Sequence, residues 1–163
     1  MNTGQMMLSI GALILLSTVV LRVNTSFLTT KQVMNESKFG VLAVSLAQSV
    51  IEEATNKAFD AQTVGNPVYD KSLLTSVAGL GPSNTEHYPD FNDFDDFNGF
   101  TKDVTNLPSA NYHISCKVFY IDAATPNVTS TVRTWNKKIV VTVTSTSSQD
   151  TVRLSSIFSY WYF

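Results

Sequence analysis

A long apolar segment near the start of the chain constrains the fold more than any other feature. The run from Met6 to Val23 contains no proline, and its only charged residue is Arg22. Its length of about 18 residues is near the lower limit for a helix that crosses a bilayer. The chain then continues, again without proline, into an amphipathic stretch that reaches Phe59. We therefore expect one long N-terminal helix, followed by a small head.

The second half of this helix has a clear apolar stripe. Gly65 followed by Pro67 is a stop signal, which predicts that the helix ends between Phe59 and Val64. Fifty-odd helical residues would extend roughly 80 Å. The polar patch from Asn24 to Thr30 consists of poor helix formers, and any loosening or kink is expected there. The apolar residues recur at steps of three or four, which is helical spacing: Phe39, Leu42, Leu46, Val50, Ala54 and Ala58.

The C-terminal part of the chain has the alternating pattern of β-strands. Three segments rich in β-branched and aromatic residues repeat with a period of two, namely Tyr112–Ile121, Lys138–Ser145 and Thr151–Phe163. The short polar link between the last two predicts a hairpin. The sequence thus predicts an α+β fold, with an apolar helix over residues 1–30 and a head over 31–163. Within the head we expect helix at 31–62, loops at 65–110 and an antiparallel sheet at 111–163.

Composition excludes several classes of function. The net charge of −2 leaves no basic stripe for nucleic acid. The single cysteine, Cys116, excludes an internal disulfide, and its place in an alternating strand predicts a buried, inert thiol. The sequence has no G-x-S-x-G elbow, no H-E-x-x-H motif and no phosphate-binding loop. We therefore expect a protein that is not an enzyme and has no cofactor.

The acidic loop from Asp90 to Phe100 is the one candidate ligand site. Acidic and amide residues alternate there with four phenylalanines. Two interpretations are open: a solvated acidic loop with aromatic anchors, or a calcium site, because calcium takes six to eight oxygen ligands. The spacing does not match an EF-hand, since Phe97 stands where that motif requires Asp or Asn. The candidate calcium ligands are Asp90, Asp93, Asp95, Asp96 and Asn98.

Two further surface features can be read from the sequence. Asn127 lies in an N-x-S/T sequon beside Pro126, in what we expect to be an exposed turn, and is a candidate glycosylation site. The chain ends in an aromatic cluster, and strand alternation places Trp161 and Phe163 on the face away from the helix. There they would form either a subunit contact or a small secondary core beneath the loop at 89–100.

The layout resembles the type IV pilin family, which includes pseudopilins and related filament subunits. The apolar helix from Met6 to Leu21, its amphipathic continuation to Phe59 and the C-terminal sheet carry the resemblance. The D-D-F-N-G sequence from Asp95 to Gly99, with the closing K-I-V-V-T-V-T-S and D-T-V-R-L-S segments, is similar in style to the pilin-like heads of divergent bacterial families. The family has a glycine at the processing point and an early glutamate, so Gly4 and Gln5 are the candidate processing residues. This chain diverges in having no basic leader and no such glutamate.

The resemblance implies a structural subunit of an extracellular helical homopolymer. Such a subunit is stored in the bacterial inner membrane, processed by a prepilin peptidase and assembled by pilus machinery into a surface filament, with cell adhesion among its roles. The alternative is a single-pass membrane protein that does not polymerise and carries a small calcium- or glycan-binding head. The expected filament-core interface consists of Met6, Met7, Leu8, Ile10, Leu13, Ile14, Leu16, Val19 and Val20.

Overall fold

The computed structural model describes residues 2–107, 110–145 and 151–161. One long helix, α1 (Thr3–Thr55), precedes an antiparallel sheet of five strands, so the predicted α+β class is confirmed. The chain divides into two compact units, Met1–Lys38 and Phe39–Phe163. Within the first unit, α1 accounts for Thr3 to Lys38, whereas the second unit contains the end of α1, the sheet and the connecting loops.

Helix α1 is uninterrupted across the polar patch where a kink was expected. The hydroxyls of Thr25, Thr29 and Thr30 donate to the carbonyl oxygens of Leu21, Thr25 and Ser26, at 2.8, 2.9 and 2.9 Å. Each bond spans one helical turn and satisfies the hydroxyl within the helix. These residues therefore have low helix propensity without breaking the helix.

The end of α1 was predicted too far along the chain. The helix ends at Thr55, before the predicted window of Phe59 to Val64. Beyond it, the backbone of Ala58 pairs with the acidic loop: its amide donates to the Asn92 carbonyl at 3.3 Å, and its carbonyl accepts from the Phe94 amide at 2.8 Å. These pairings use the Ala58 groups that a continued helix would bond internally, so tertiary contact ends the helix before the Gly65 signal.

The five strands form a sheet in the order β1–β2–β4–β5, with β3 paired to the end of β2. The three predicted strands and their hairpin are found, whereas two short strands were missed. β1 lies in the segment expected to be loop, and β3 contains Pro126. The last strand ends earlier than predicted, and Phe163 lies outside the described residues. The strands are β1 (Thr101–Val104), β2 (Tyr112–Asp122), β3 (Thr125–Thr129), β4 (Asn136–Ser145) and β5 (Thr151–Ser159).

One face of the sheet packs against the second half of α1. Small residues on the helix, including Ala47 and Ala54, are fully buried and allow its backbone to lie close to the strands. The alternation predicted for β2 and β4 is confirmed, because the inward positions are buried. The core of this layer includes Ala43, Ala47, Val50, Ile51 and Ala54 from the helix with Tyr112, Ile114, Cys116, Val118, Ile139, Val141 and Val143 from the sheet.

A second core cluster lies at the other end of the sheet. Phe59, Val68, Leu74 and Tyr120 are buried there, with Trp135 and Tyr160 packed against them. The hydroxyl of Tyr160 accepts a hydrogen bond from the Val68 amide at 2.9 Å, and its ring stacks on Trp135 with centroids 5.4 Å apart. The end of β5 is thereby attached to the loops that follow α1.

Candidate functional site

The first unit presents an apolar surface that the chain itself does not cover. Among the described residues α1 is the one helix long and apolar enough to cross a membrane, a property that signal sequences share. No residue in its most apolar stretch is buried. All nine residues predicted to form a filament core are exposed: Met6, Met7, Leu8, Ile10, Leu13, Ile14, Leu16, Val19 and Val20.

The apolar segment carries no charge, and two of its hydroxyls are satisfied within the helix. No charged side chain lies between Thr3 and Leu21. The Ser9 hydroxyl donates to the Gln5 carbonyl at 2.9 Å, and the Thr18 hydroxyl donates to the Leu15 carbonyl at 2.8 Å. Because these hydroxyls and the helical backbone are bonded internally, leaving water costs far less than it would for free polar groups.

A stripe of large apolar residues continues past the bilayer-length run. Met6, Leu13, Val20, Phe27 and Met34 are spaced seven residues apart, and each is between 50% and 65% exposed. Residues seven apart lie two turns apart on one face of a helix, and this spacing corresponds to one of the two apolar positions in each heptad of a coiled coil. We call these five residues the heptad stripe. The stripe was not predicted from the sequence, because two of its five residues lie beyond the apolar run that ends at Val23.

Gly4 and Gln5 lie in the first turn of α1. The amides of Gln5 and Met6 donate to the Asn2 carbonyl at 2.9 and 3.3 Å, and both candidate processing residues are exposed. A Cβ at Gly4 would meet nothing within 4 Å. Processing at this position stays a prediction.

The acidic loop is anchored by its phenylalanines, as one interpretation predicted. Phe91, Phe94 and Phe97 are buried, and Phe100 packs against the same core. The Phe91 ring makes edge-to-face contacts with the rings of Phe97 and Phe100, at centroid distances of 5.2 and 5.8 Å. Such edge contacts stabilise aromatic pairs beyond their buried area.

The acidic side chains of this loop are not solvated, contrary to the rest of that interpretation. Asp93, Asp95 and Asp96 are each only 1% exposed, whereas Asp90 is exposed. Asn98 is half-buried and joins two elements: its Oδ1 accepts from the Val118 amide at 3.0 Å, and its Nδ2 donates to the Leu80 carbonyl at 2.9 Å. Only part of the predicted ligand set therefore faces water.

A buried lysine from β4 lies between two carboxylates. Lys137 Nζ is 2.5 Å from Asp95 Oδ1 and 2.7 Å from Asp60 Oδ2, and it also donates to the Phe59 carbonyl at 2.8 Å. The side chains of Lys137 and Asp60 are fully buried, and that of Asp95 is 2% exposed. The three N–H donors of the ammonium thus have three acceptors, which a buried charge requires. We call these residues, together with Asp93, the lysine cluster.

Aromatic rings enclose the ammonium. Nζ lies 4.5 Å from the centroid of the Phe59 ring and 5.2 Å from that of Tyr120. The single proton of the Tyr120 hydroxyl has two acceptors within reach, the Thr75 carbonyl at 2.8 Å and Asp60 Oδ2 at 3.2 Å. Ring faces attract cations and exclude water, so the charges of the cluster interact in surroundings of low polarity.

The carboxyl groups of the cluster differ in their acidity. Burial opposes ionisation of Asp60, but the charge of Lys137 and hydrogen bonds from Lys137, Gln62 and Thr75 hold its pKa below the ordinary value. Burial raises the pKa of Asp95, although Lys137 opposes that shift. Burial, and then the charge of Asp95, raises the pKa of Asp93 to about 8. Near neutral pH the cluster therefore pairs an ionised Asp60 with a largely protonated Asp93.

The same contacts bear on the calcium prediction. Asp93 Oδ1 accepts from the Asp95 amide at 2.8 Å, and Asp96 Oδ2 accepts from the amides of Asn92 and Asp93 at 2.9 and 3.2 Å. Within the described part of the chain, no group of three or more His, Cys, Asp or Glu side chains is placed to hold a metal ion. The Lys137 ammonium lies where a cation would bind between Asp60 and Asp95. Calcium binding by this loop stays a prediction.

Lys137 and Asp60 were not predicted as site residues. One signal was present: Lys137 shares the odd-numbered positions of β4 with Ile139, Val141 and Val143, so strand alternation places it inward. An inward lysine needs a buried partner, and the acidic loop was the obvious source. Nothing in the sequence indicates that Asp60 joins it, because that contact depends on where α1 ends.

Three remaining predicted positions are described by the structure. Asn127 is exposed but lies in β3 rather than in a turn, and its Oδ1 accepts from Lys138 Nζ at 3.1 Å. Trp161 is 76% exposed, while Phe163 lies outside the described residues. Cys116 is buried, and burial raises the pKa of its thiol to about 12, so the predicted buried thiol is confirmed.

The comparisons with known proteins provide no relative for this chain. No family model, no curated protein and no solved structure matches it.

Proposed function

We propose that this chain is the structural subunit of a pilin-like helical filament that polymerises through its N-terminal helix. The observation that carries the proposal is the apolar surface of the first unit. It is long, uncharged from Thr3 to Leu21 and left exposed by the chain itself. A contiguous apolar surface of this kind marks a site that lipid or another protein must cover.

The heptad stripe favours helices of other copies as the final cover. A bilayer accounts for the run that ends near Val23. Phe27 and Met34 lie beyond that run and are 65% and 64% exposed. Lipid would not cover these two positions if the run to Val23 spans the bilayer, whereas the helix of a second copy packing along the stripe would.

The second unit supports the proposal by having a core of its own. The sheet, the end of α1 and the phenylalanine loop bury a continuous cluster within residues 39–163. A head that is stable without the first unit can fold while the apolar segment is held in a membrane, and it can stay folded when that segment is transferred to a filament. Contacts between copies that do not close into a ring generate such a filament.

The assembly chemistry would belong to other proteins. We infer a peptidase that acts near Gly4 and Gln5, an ATPase in the cytoplasm and a membrane platform. The subunit itself would be stored in the inner membrane and would act at the cell surface after assembly. Its work would be mechanical.

The proposal is tested with a double variant, in which aspartate replaces both Phe27 and Met34, expressed in the cells that produce the protein. Material sheared from the cells is examined by negative-stain electron microscopy, and the mature N-terminus is determined by mass spectrometry. We expect helical fibres built of the unaltered chain, and their loss in the double variant because two charges would be buried between packed helices. Membrane insertion should persist, since both positions lie outside the apolar run.

The matched control is the double replacement of Gln32 and Asn35 by aspartate. These positions are exposed, polar and in the same stretch of α1. They lie off the heptad stripe, and we expect fibres in normal amount. Fibres that persist in the Phe27 and Met34 variant would overturn packing along the stripe. A wild-type chain found in membranes without fibres would instead identify a membrane-anchored head.

A further inference from the structure

We propose that Lys137 and Asp95 become joined by an intramolecular amide bond, formed when Lys137 Nζ condenses with the side-chain carboxyl of Asp95. The described structure shows the two groups as an ion pair, which is the state that precedes the bond. The link would connect β4 to the acidic loop, across 42 positions of the sequence. It is independent of the proposed filament function.

Proximity is the first reason. Nζ and Asp95 Oδ1 are 2.5 Å apart, so the nitrogen already lies against the carboxyl group whose carbon it would attack. Both side chains come from elements fixed by the core, since β4 is a central strand and Phe94 and Phe97 flank Asp95 with fully buried rings. Effective concentrations in well-oriented intramolecular reactions reach about 10⁵–10⁸ M.

Exclusion of water is the second reason. In water the equilibrium between an amine and a carboxylate lies far from the amide, and ionisation of both groups prevents attack. Here both side chains are buried, and the rings of Phe59 and Tyr120 lie over the ammonium. Surroundings of low polarity disfavour the ion pair relative to its neutral forms, and the amide removes both charges.

Acid and base groups at the right places are the third reason. Asp60 Oδ2 is 2.7 Å from Nζ and can accept a proton from the ammonium. Asp93 is buried beside Asp95 and holds a proton near neutral pH, because burial and the neighbouring carboxylates raise its pKa. A carboxylic acid in that place can protonate the Asp95 carboxylate and make its carbon electrophilic. The proposed reaction is therefore general acid–base catalysis by two aspartates.

The proposed reaction needs no other reactant, because each proton that is transferred comes from one of the four side chains of the cluster. Lys137 gives one proton to Asp60, and Asp93 gives its proton to Asp95. The Nζ lone pair then forms a bond to the Asp95 carbonyl carbon, and one N–H proton of the resulting adduct passes to Asp93. Asp60 returns its proton to the departing hydroxyl as the C–O bond breaks. The products are one amide and one water, with Asp60 ionised and Asp93 protonated as at the start.

The test is the intact mass of the full chain, purified in detergent and measured after denaturation. We expect the wild-type mass to be lower than the sequence mass, after any N-terminal processing, by one water. Protease digestion should give a branched peptide that joins the segment containing Lys137 to the segment containing Asp95. A wild-type chain of full mass after prolonged incubation would overturn the proposal, and this result does not depend on any variant folding.

Variants locate the bond and its catalyst. Lys137→Arg and Asp95→Ala should have full mass, whereas the exposed controls Lys117→Arg and Asp90→Ala should lose one water as the wild type does. Asp93→Asn should form the link about a hundredfold more slowly, as expected for the loss of a general acid. A loss of water that persists in Lys137→Arg would indicate an aspartyl succinimide instead, and it would overturn the proposal.

Discussion

At the scale of single residues, the placement of Lys137 depends on complete pairing of its charge. Moving an ammonium out of water costs several kcal/mol even after the protein relaxes. Here Asp60, Asp95 and the Phe59 carbonyl accept its three hydrogen bonds, at 2.7, 2.5 and 2.8 Å. Among the described residues no buried side-chain polar atom lacks a hydrogen-bond partner. The cluster is therefore fully satisfied, which is the condition under which a buried polar network specifies one arrangement.

The protonation of Asp93 predicts how the stability of the head depends on pH. Its pKa is raised from 3.8 to about 8, chiefly by burial, so the folded state holds this proton more tightly than the unfolded chain does. The contribution of Asp93 is fully present below about pH 4 and is lost as the pH rises towards 8. Urea unfolding of the fragment 39–163, using material whose mass shows no cross-link, should give a free energy that falls with pH in this range. The slope from one proton is at most about 1.4 kcal/mol per pH unit.

Asp93→Asn should reduce that slope, because the amide keeps the shape of the protonated acid and does not titrate. The slope should not vanish, since burial also raises the pKa of Asp95 in the same direction. Asp60 acts in the opposite sense, as its pKa is lowered, and its contribution is lost only as the pH falls below its ordinary value of 3.8. The control Asp90→Asn changes an exposed neighbour. Equal slopes in wild type and Asp93→Asn would contradict the assignment.

Single residues were predictable where one periodicity settled their burial. Alternation in β2 and β4 correctly placed Cys116 and Val141 inside, and it would have placed Lys137 there as well. The acidic side chains were harder to predict. Asp93 and Asp95 resemble solvated loop residues in the sequence, and their burial follows from the phenylalanines that anchor the loop and from a lysine far away in the chain. Local composition cannot indicate a partner so distant in sequence.

At the scale of elements, the acidic loop acts as part of the core rather than as a surface loop. Phe94 is completely buried, and its ring makes an edge contact with Phe158 of β5 at a centroid distance of 5.1 Å. Its amide donates to the Ala58 carbonyl beyond the end of α1. This one residue therefore joins the loop, the segment that follows the helix and the last strand.

Phe94→Ala should lower the free energy of unfolding of the fragment 39–163 by about 3–5 kcal/mol, the range for removing a buried aromatic ring. Urea unfolding followed by circular dichroism measures the change. The matched control is Phe119→Ala, which removes the same ring from the outward face of β2, where Phe119 is only half-buried. We expect a clearly smaller loss there. Similar losses in the two variants would contradict the role given to the loop.

The elements that were predicted correctly are those defined by their own sequence. Strands β2, β4 and β5 alternate over nine or more residues, and their pattern predicts them. Strand β1 has four residues and strand β3 has five, and most of their side chains are exposed. Neither strand therefore has the alternating apolar residues from which a strand is predicted. The end of α1 differed from the prediction because contacts with a distant segment determined it. Gly65 is a valid stop signal, but contacts of Ala58 with the loop ended the helix first.

At the scale of the whole molecule, the chain combines one unit that buries its apolar side chains with one that exposes them. Residues 39–163 bury their own apolar cluster, whereas α1 exposes large apolar side chains from Met6 to Met34. This contrast was predictable, because hydropathy and periodicity are properties of the sequence alone. The heptad stripe was equally readable, since it needs only the spacing of Leu13, Val20 and Phe27. What covers the stripe depends on other molecules, and no single sequence contains that information.

Replacement of Leu13 and Leu16 by lysine separates these two units experimentally. Both side chains are exposed, at 62% and 61%, and neither belongs to the core clusters of the second unit. Two charges in the apolar run should abolish assembly, because neither lipid nor packed helices accommodate them. The head should stay folded, so the circular dichroism and the urea midpoint of the full double-lysine chain in detergent should match those of the unaltered chain. Normal fibres from the double-lysine chain would refute an apolar filament core, and an unfolded head would refute the independence of the second unit.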